Sequence, residues 1–242
     1  MTAIKSIKIN EKIYMLPEKP TNKKETFSGD VYRLQVEDND LAVKIYHSIN
    51  RDDPDDMDFF PPQEDLEKFI ELSPKMEPLL LSNHMVLDLE NNYIGCTSYF
   101  VEETRKDIGE VIRNLPCNQL FTNIFLLIER IPEVSKYRIA LDDWSLDNLK
   151  YGTIRNQVES EKIYCFDDSN YRMNKEDSIR IITNTNYACA NRLAEDILGD
   201  LNLYHALIGK MRYSTCYFEY LERQSRGYKN LDEYSKEYIL KK

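Results

Sequence analysis

Apolar and polar positions alternate in short runs over the first hundred residues and follow a helical period afterwards. From Ile4 to Leu16 the chain is apolar and β-branched with a polar interlude, followed by the polar turn Pro17–Lys24. Val31-Tyr32-Arg33-Leu34-Gln35-Val36 and Leu41-Ala42-Val43-Lys44-Ile45-Tyr46 flank the tight polar turn Glu37-Asp38-Asn39-Asp40, which predicts an antiparallel hairpin. An acidic loop, Asn50 to Asp58, runs into Pro61-Pro62 and then Gln63 to Leu72, where Leu66, Phe69 and Ile70 share one helical face. Met85–Leu89 and Tyr93–Val101 read as two more strands around the turn Glu90-Asn91-Asn92.

After Glu103 the period becomes helical. Ile108, Val111, Ile112 and Leu115 line a short helix closed by Pro116, and Leu120 to Ile131 forms a strongly apolar one that suits burial. Ile139-Ala140-Leu141 and Lys162–Phe166 are short apolar runs that end in carboxylates. From about Lys175 the pattern predicts helices at Tyr187–Leu198, Leu201–Leu221 and from Asn230. Strands plus one helix followed by helices with a small hairpin make an α+β layout in two lobes, breaking near Glu102–Arg105.

Composition narrows the function classes. A formal charge of -10 over 242 residues repels phosphate backbones and anionic lipid, so neither nucleic acid nor membrane is the expected partner. The five cysteines are odd in number and show no CxxC spacing, which argues against a disulfide framework or a zinc site. The opening residues lack the apolar stretch of a secretory signal, and no run is apolar enough to span a bilayer, so the expected location is the cytoplasm. His47, His84 and His205 are scattered and suggest no triad. A tyrosine-rich tail (Tyr204, Tyr213, Tyr217, Tyr220, Tyr228, Tyr234, Tyr238) suits an amphipathic packing face or an interaction surface.

Three segments carry polar groups inside apolar runs. Lys44 interrupts a strand whose alternation turns Val43 and Ile45 to the opposite face. Leu141-Asp142-Asp143-Trp144-Ser145-Leu146-Asp147-Asn148-Leu149 sets three carboxylates and an amide among bulky apolar residues, and Ile163-Tyr164-Cys165-Phe166-Asp167-Asp168 is a strand ending in acid. Phosphoryl transfer from ATP needs a cation on the phosphates, oxygen ligands for magnesium and a carboxylate for the incoming hydroxyl.

From Val31 to Asp168 the chain resembles the protein-kinase-like superfamily in its divergent bacterial form, with a small β-rich N-lobe and a reduced helical C-lobe. Ala42-Val43-Lys44-Ile45 is similar to the family's V-A-I-K strand, which implies that Lys44 reaches the α- and β-phosphates of ATP. Asp143 to Asn148 matches D-x-x-x-x-N, implying Asp143 as catalytic base and Asn148 as a Mg2+ ligand. Asp167, with Asp168 as rival, stands where the family has its D-F-G aspartate and would be the main metal ligand. The resemblance implies Glu67 as ion-pair partner of Lys44, with Glu64 or Glu71 as alternatives, and Tyr99-Phe100-Val101 as the segment that holds adenine. Gly29, within Phe27-Ser28-Gly29-Asp30-Val31-Tyr32, is the one glycine left of the glycine-rich loop.

The chain departs from the family in that loop, in Leu141-Asp142 where the family has His-Arg, in Asp167-Asp168-Ser169 for D-F-G, and in lacking A-P-E. The expectation is one kinase-like domain, residues 1–103 forming a lobe of five strands and one helix and residues 104–242 a mostly helical lobe. ATP and Mg2+ are the implied cofactors. A protein Ser/Thr acceptor is favoured over a small molecule, because the chain lacks a large inserted lobe; a pseudokinase that grips nucleotide or a protein partner is the alternative.

Overall fold

The computed structural model describes residues 5–21, 29–47, 62–105, 107–141, 144–155, 161–166, 171–211 and 216–241. It is an α+β protein that divides into two compact units. The first comprises Met1–Glu102, Thr153–Ser160 and Phe166–Arg172, and the second Glu103–Gly152, Glu161–Cys165 and Met173–Lys242.

The first unit is built on a six-stranded antiparallel sheet. Its strands are β1 (Ser6–Ile9), β2 (Lys12–Met15), β3 (Gly29–Val36), β4 (Asn39–Tyr46), β5 (His84–Leu87) and β6 (Tyr93–Tyr99), in the order β2-β1-β5-β6-β4-β3. The Ile4–Leu16 run thus supplies two strands rather than one, which corrects the expected five. The polar interlude Asn10-Glu11 turns the chain, with φ of 48° and 65° at those residues, the sign that matches a two-residue turn to strand twist.

Alternation gives the sheet two faces. Leu41, Val43 and Ile45 of β4 join Ile7, Ile9, Val36 and Val86 in one apolar core. The other face meets α1 (Gln63–Leu72), whose Leu66 packs with Tyr46 and Cys96. Burying such side chains supplies roughly 1.5–3 kcal/mol each, so β4 is held from both sides.

The second unit is mostly helical: α2 (Ile108–Asn114), α3 (Cys117–Ile128), α4 (Ile131–Lys136), α5 (Ile179–Asp200), α6 (Tyr204–Met211), α7 (Tyr217–Ser225) and α8 (Leu231–Leu240). The expected Leu120–Ile131 helix stops at Ile128, and Ile131 opens α4 instead. Pro132 explains the break, because its ring and missing N–H are tolerated only in a first turn. The run expected as Leu201–Leu221 supplies both α6 and α7. α5 is the organising helix: Ile182, Asn186, Cys189, Ala190, Leu193, Ala194, Ile197 and Leu198 form its buried stripe at helical spacing.

Five short strands complete the described elements. β7 (Val101–Arg105), β9 (Leu149–Ile154) and β10 (Lys162–Cys165) form a sheet in the order β10-β9-β7, while β8 (Ile139–Leu141) pairs with β11 (Tyr171–Met173). Among the described residues no helix is long and apolar enough to cross a membrane. The five cysteines are free thiols, three buried and two half-buried. In the tail, Tyr234 meets Tyr228 edge-on and Tyr238 at a tilt, and burial pushes its phenol up to about 12.

Candidate functional site

Lys44 sits on β4 directly opposite Cys96 of β6, on the face that α1 covers, and it is half-buried. Ala42 shares that face two residues earlier. The Lys44 ammonium lies 6.0 Å from the Tyr46 ring, whose hydroxyl contacts Cys96 Sγ at 3.3 Å. Close strand approach fixes this backbone: a Cβ on Gly95 would collide with the Lys44 carbonyl oxygen. Lys44 therefore projects from a strand that cannot shift sideways.

Its expected surroundings are arranged differently from the family pattern. Glu67 is exposed, and its carboxylate accepts from Gln63 of the same helix at 3.3 Å. Glu71 pairs with Lys68. The α1 carboxylate that is buried is Asp65, 7% exposed beside Leu66. Gly29 is not a loop residue but the first residue of β3, paired with Tyr46, where a Cβ would strike the Ile45 carbonyl oxygen. Its smallness serves strand packing.

Tyr99 is the last β6 residue on the β4 ladder, opposite Leu41, and Val101 is buried at the start of β7. Between them the Phe100 N–H donates to the Asp40 carbonyl at 3.0 Å. The expected single strand Tyr93–Val101 is broken here, because Phe100 leaves one sheet before β7 enters the next.

In the second unit the segment around Asp143 is held at both described ends. Leu141, the end of β8, donates its N–H to Asn186 Oδ1 at 2.8 Å. Asn186 is wholly buried on α5, and its Nδ2 donates to Ser135 Oγ and the Ile139 carbonyl, each at 3.0 Å. Three bonds satisfy one buried amide, which offsets its desolvation and pins the strand. On the far side Trp144, 2% exposed, donates its N–H to Cys189 Sγ at 3.2 Å. Its indole N–H is buried without a hydrogen-bond partner among the described residues. Asp143 itself lies outside the described residues.

Asn148, 8% exposed, ends a short helical turn, its N–H donating to the Ser145 carbonyl at 3.1 Å. The next residue, Leu149, opens β9 and faces Cys165 of β10. β10 is fixed in turn by α3, where buried Asn123 accepts from the Ile163 N–H at 2.9 Å. Asn148 thus stands at the open end of the β9–β10 hairpin, and Asp167 follows Cys165 by two residues in the sequence. Asp167 and its rival Asp168 lie outside the described residues. Among the described residues no three His, Cys, Asp or Glu side chains gather as a metal site. Asn148 supplies an amide oxygen, a hard donor of the kind magnesium takes.

Sequence reasoning passed over Asp65, Asn123, Asn186 and the ion cluster around Asp40. Asn186 had a visible signal, a lone amide within the apolar stripe of α5. Asp40 had none, since it reads as an ordinary turn acid. Comparison with family models finds no match for this chain, and no curated protein sequence matches it.

Proposed function

We propose that the chain binds ATP with magnesium and transfers a phosphoryl group to a hydroxyl. The observation that carries this reading is the register Leu149 opposite Cys165. It supports the reading in that Asn148 stands at the open end of this hairpin, and Asp167 follows Cys165 by two residues in the sequence. The half-buried cation of Lys44 beside Ala42, on a strand locked from both faces, adds support from the first unit.

In this reading Lys44 holds the α- and β-phosphates, and Asn148 and Asp167 are the oxygen ligands of the metal. Magnesium, when bound, supplies charge neutralisation on the β- and γ-oxygens. Asp143 orients the acceptor hydroxyl and takes its proton as the new oxygen–phosphorus bond forms. The bond from the γ-phosphorus to the bridging oxygen breaks, and ADP leaves. The acceptor in this reading is a protein Ser or Thr side chain.

Incubation of the whole chain with γ-labelled ATP and magnesium tests this. Label should appear on the protein or an added acceptor and disappear in Asp143→Asn. Mass spectrometry of the product separates phosphoryl from nucleotidyl addition. A wild-type chain that neither binds nor consumes ATP sinks the reading.

A second reading, a pseudokinase that binds nucleotide or a protein partner without transfer, is favoured by two observations. Gly29 is consumed by strand packing, and Glu67 is engaged within its own helix. Tight Mg-ATP binding with no transfer to any acceptor is the outcome that selects it.

A further inference from the structure

Beyond the last β4–β6 pair, Leu41 opposite Tyr99, the ladder ends and the chain turns out of the sheet. Asp40 holds that exit with both its backbone and its side chain. Its carbonyl accepts the Phe100 N–H at 3.0 Å. Its carboxylate, 5% exposed, accepts from Arg33 Nη2 at 2.6 Å and from Arg155 Nη1 at 3.3 and 3.4 Å. The Arg33 guanidinium lies over the Phe100 ring, 4.5 Å from its centroid, and reaches Glu102 at 3.8 Å. A planar cation that pairs at its tip and stacks on its face suits arginine and not lysine.

Exposed ion pairs at hairpin ends contribute little. This one differs: the acid is buried, two guanidinium groups converge on it, one from 7 and the other from 115 positions away, and the nearer one stacks on an aromatic ring. The residue so stacked belongs to the segment read as the base-binding edge. Its own amide is already committed to Asp40, which leaves base recognition to the adjoining backbone. We infer that Asp40 is the positioning residue for the Tyr99–Val101 segment, fixing through Arg33 and Phe100 the backbone edge on which a purine base is read. The inference rests on the nucleotide reading above, in which Lys44 holds the phosphate end, and on the resemblance, which implies this segment as the one that holds the base.

The two ends are separable by ligand. Adenosine and inorganic tripolyphosphate are titrated against the whole wild-type chain, Asp40→Ala, Arg33→Lys and Lys44→Met. Asp40→Ala should weaken adenosine binding about tenfold and change tripolyphosphate binding by less than about twofold, because a small misplacement of a positioning group is costly only where it acts. Lys44→Met should show the reverse pattern. Amide exchange at Phe100 should quicken in Asp40→Ala. Arg33→Lys, at a half-exposed position, is read by the same criteria if Asp40→Ala does not fold. Unchanged adenosine affinity, equal weakening of both ligands, or unchanged Phe100 exchange in a folded variant overturns the inference while leaving the nucleotide reading intact. A wild-type chain that binds neither ligand overturns both.

Discussion

The strand that carries Lys44 and the loop that leads to Asn148 are held in place by different means. In the first unit, position is a matter of backbone register. β4 pairs on both sides, Gly29 and Gly95 permit close approach, and alternation alone decides that Lys44 and Ala42 face one way and Val43 the other. In the second unit, backbone pairing is sparse, and buried side-chain amides from helices do the positioning. Asn186 grips the end of β8 and Asn123 grips β10, from 45 and 40 residues away respectively. A register tolerates many side chains as long as the pleat is kept. An amide clamp depends on one residue, so the second region should be far more sensitive to single substitutions.

The sharpest break of this comparison is Asn186→Leu. It orphans the Leu141 N–H and removes two further bonds, and is expected to cost about 3 kcal/mol in urea unfolding. A loss below about 1 kcal/mol would mean that the clamp is incidental. On the other side, Gly95→Ala should cost about 2 kcal/mol by forcing β6 away from the Lys44 carbonyl, and should weaken any ligand held by Lys44. Stability equal to wild type there would show that register is softer than the close approach implies.

A smaller effect is set by pH. The Arg33 guanidinium, with Arg155 in support, holds the Asp40 carboxyl below its ordinary value of 3.8, while burial works against it. A group lowered on folding stabilises fully above its unfolded value and loses that contribution as pH falls through its folded value. The stability gap between wild type and Asp40→Asn should therefore be complete at neutral pH and narrow once the pH drops below about 3.8; a gap independent of pH contradicts the ion cluster. The smallest effect belongs to Glu67→Ala. Exposed and, among the described residues, hydrogen-bonded to Gln63 alone, Glu67 should change stability by less than about 0.5 kcal/mol. A larger change would return it to the Lys44 site.

How much of this was legible follows from the same contrast. The β3–β4 hairpin, the α1 helix and the inward and outward faces of β4 follow from alternation and turn chemistry, because those signals are local. Asn10-Glu11 was visible as a polar interlude, but its strength as a turn depends on left-handed backbone at both residues. Glu67 was the partner that the resemblance implied, whereas the burial of Asp65 on α1 follows from how the helix packs its Leu66 with Tyr46 and Cys96.

By itself the sequence determined the α+β order of elements, the β3–β4 hairpin and α1, which face of β4 is apolar, and that polar groups interrupt three apolar runs, since each is a property of neighbours within a few positions. Only the tertiary structure decided that Asn186 and Asn123 brace the loop and hairpin, that Asp40 is an ion hub, and that Gly29 serves packing. The physical reason is that a buried polar group takes its role from the partner that satisfies it, and here those partners arrive from distant parts of the chain.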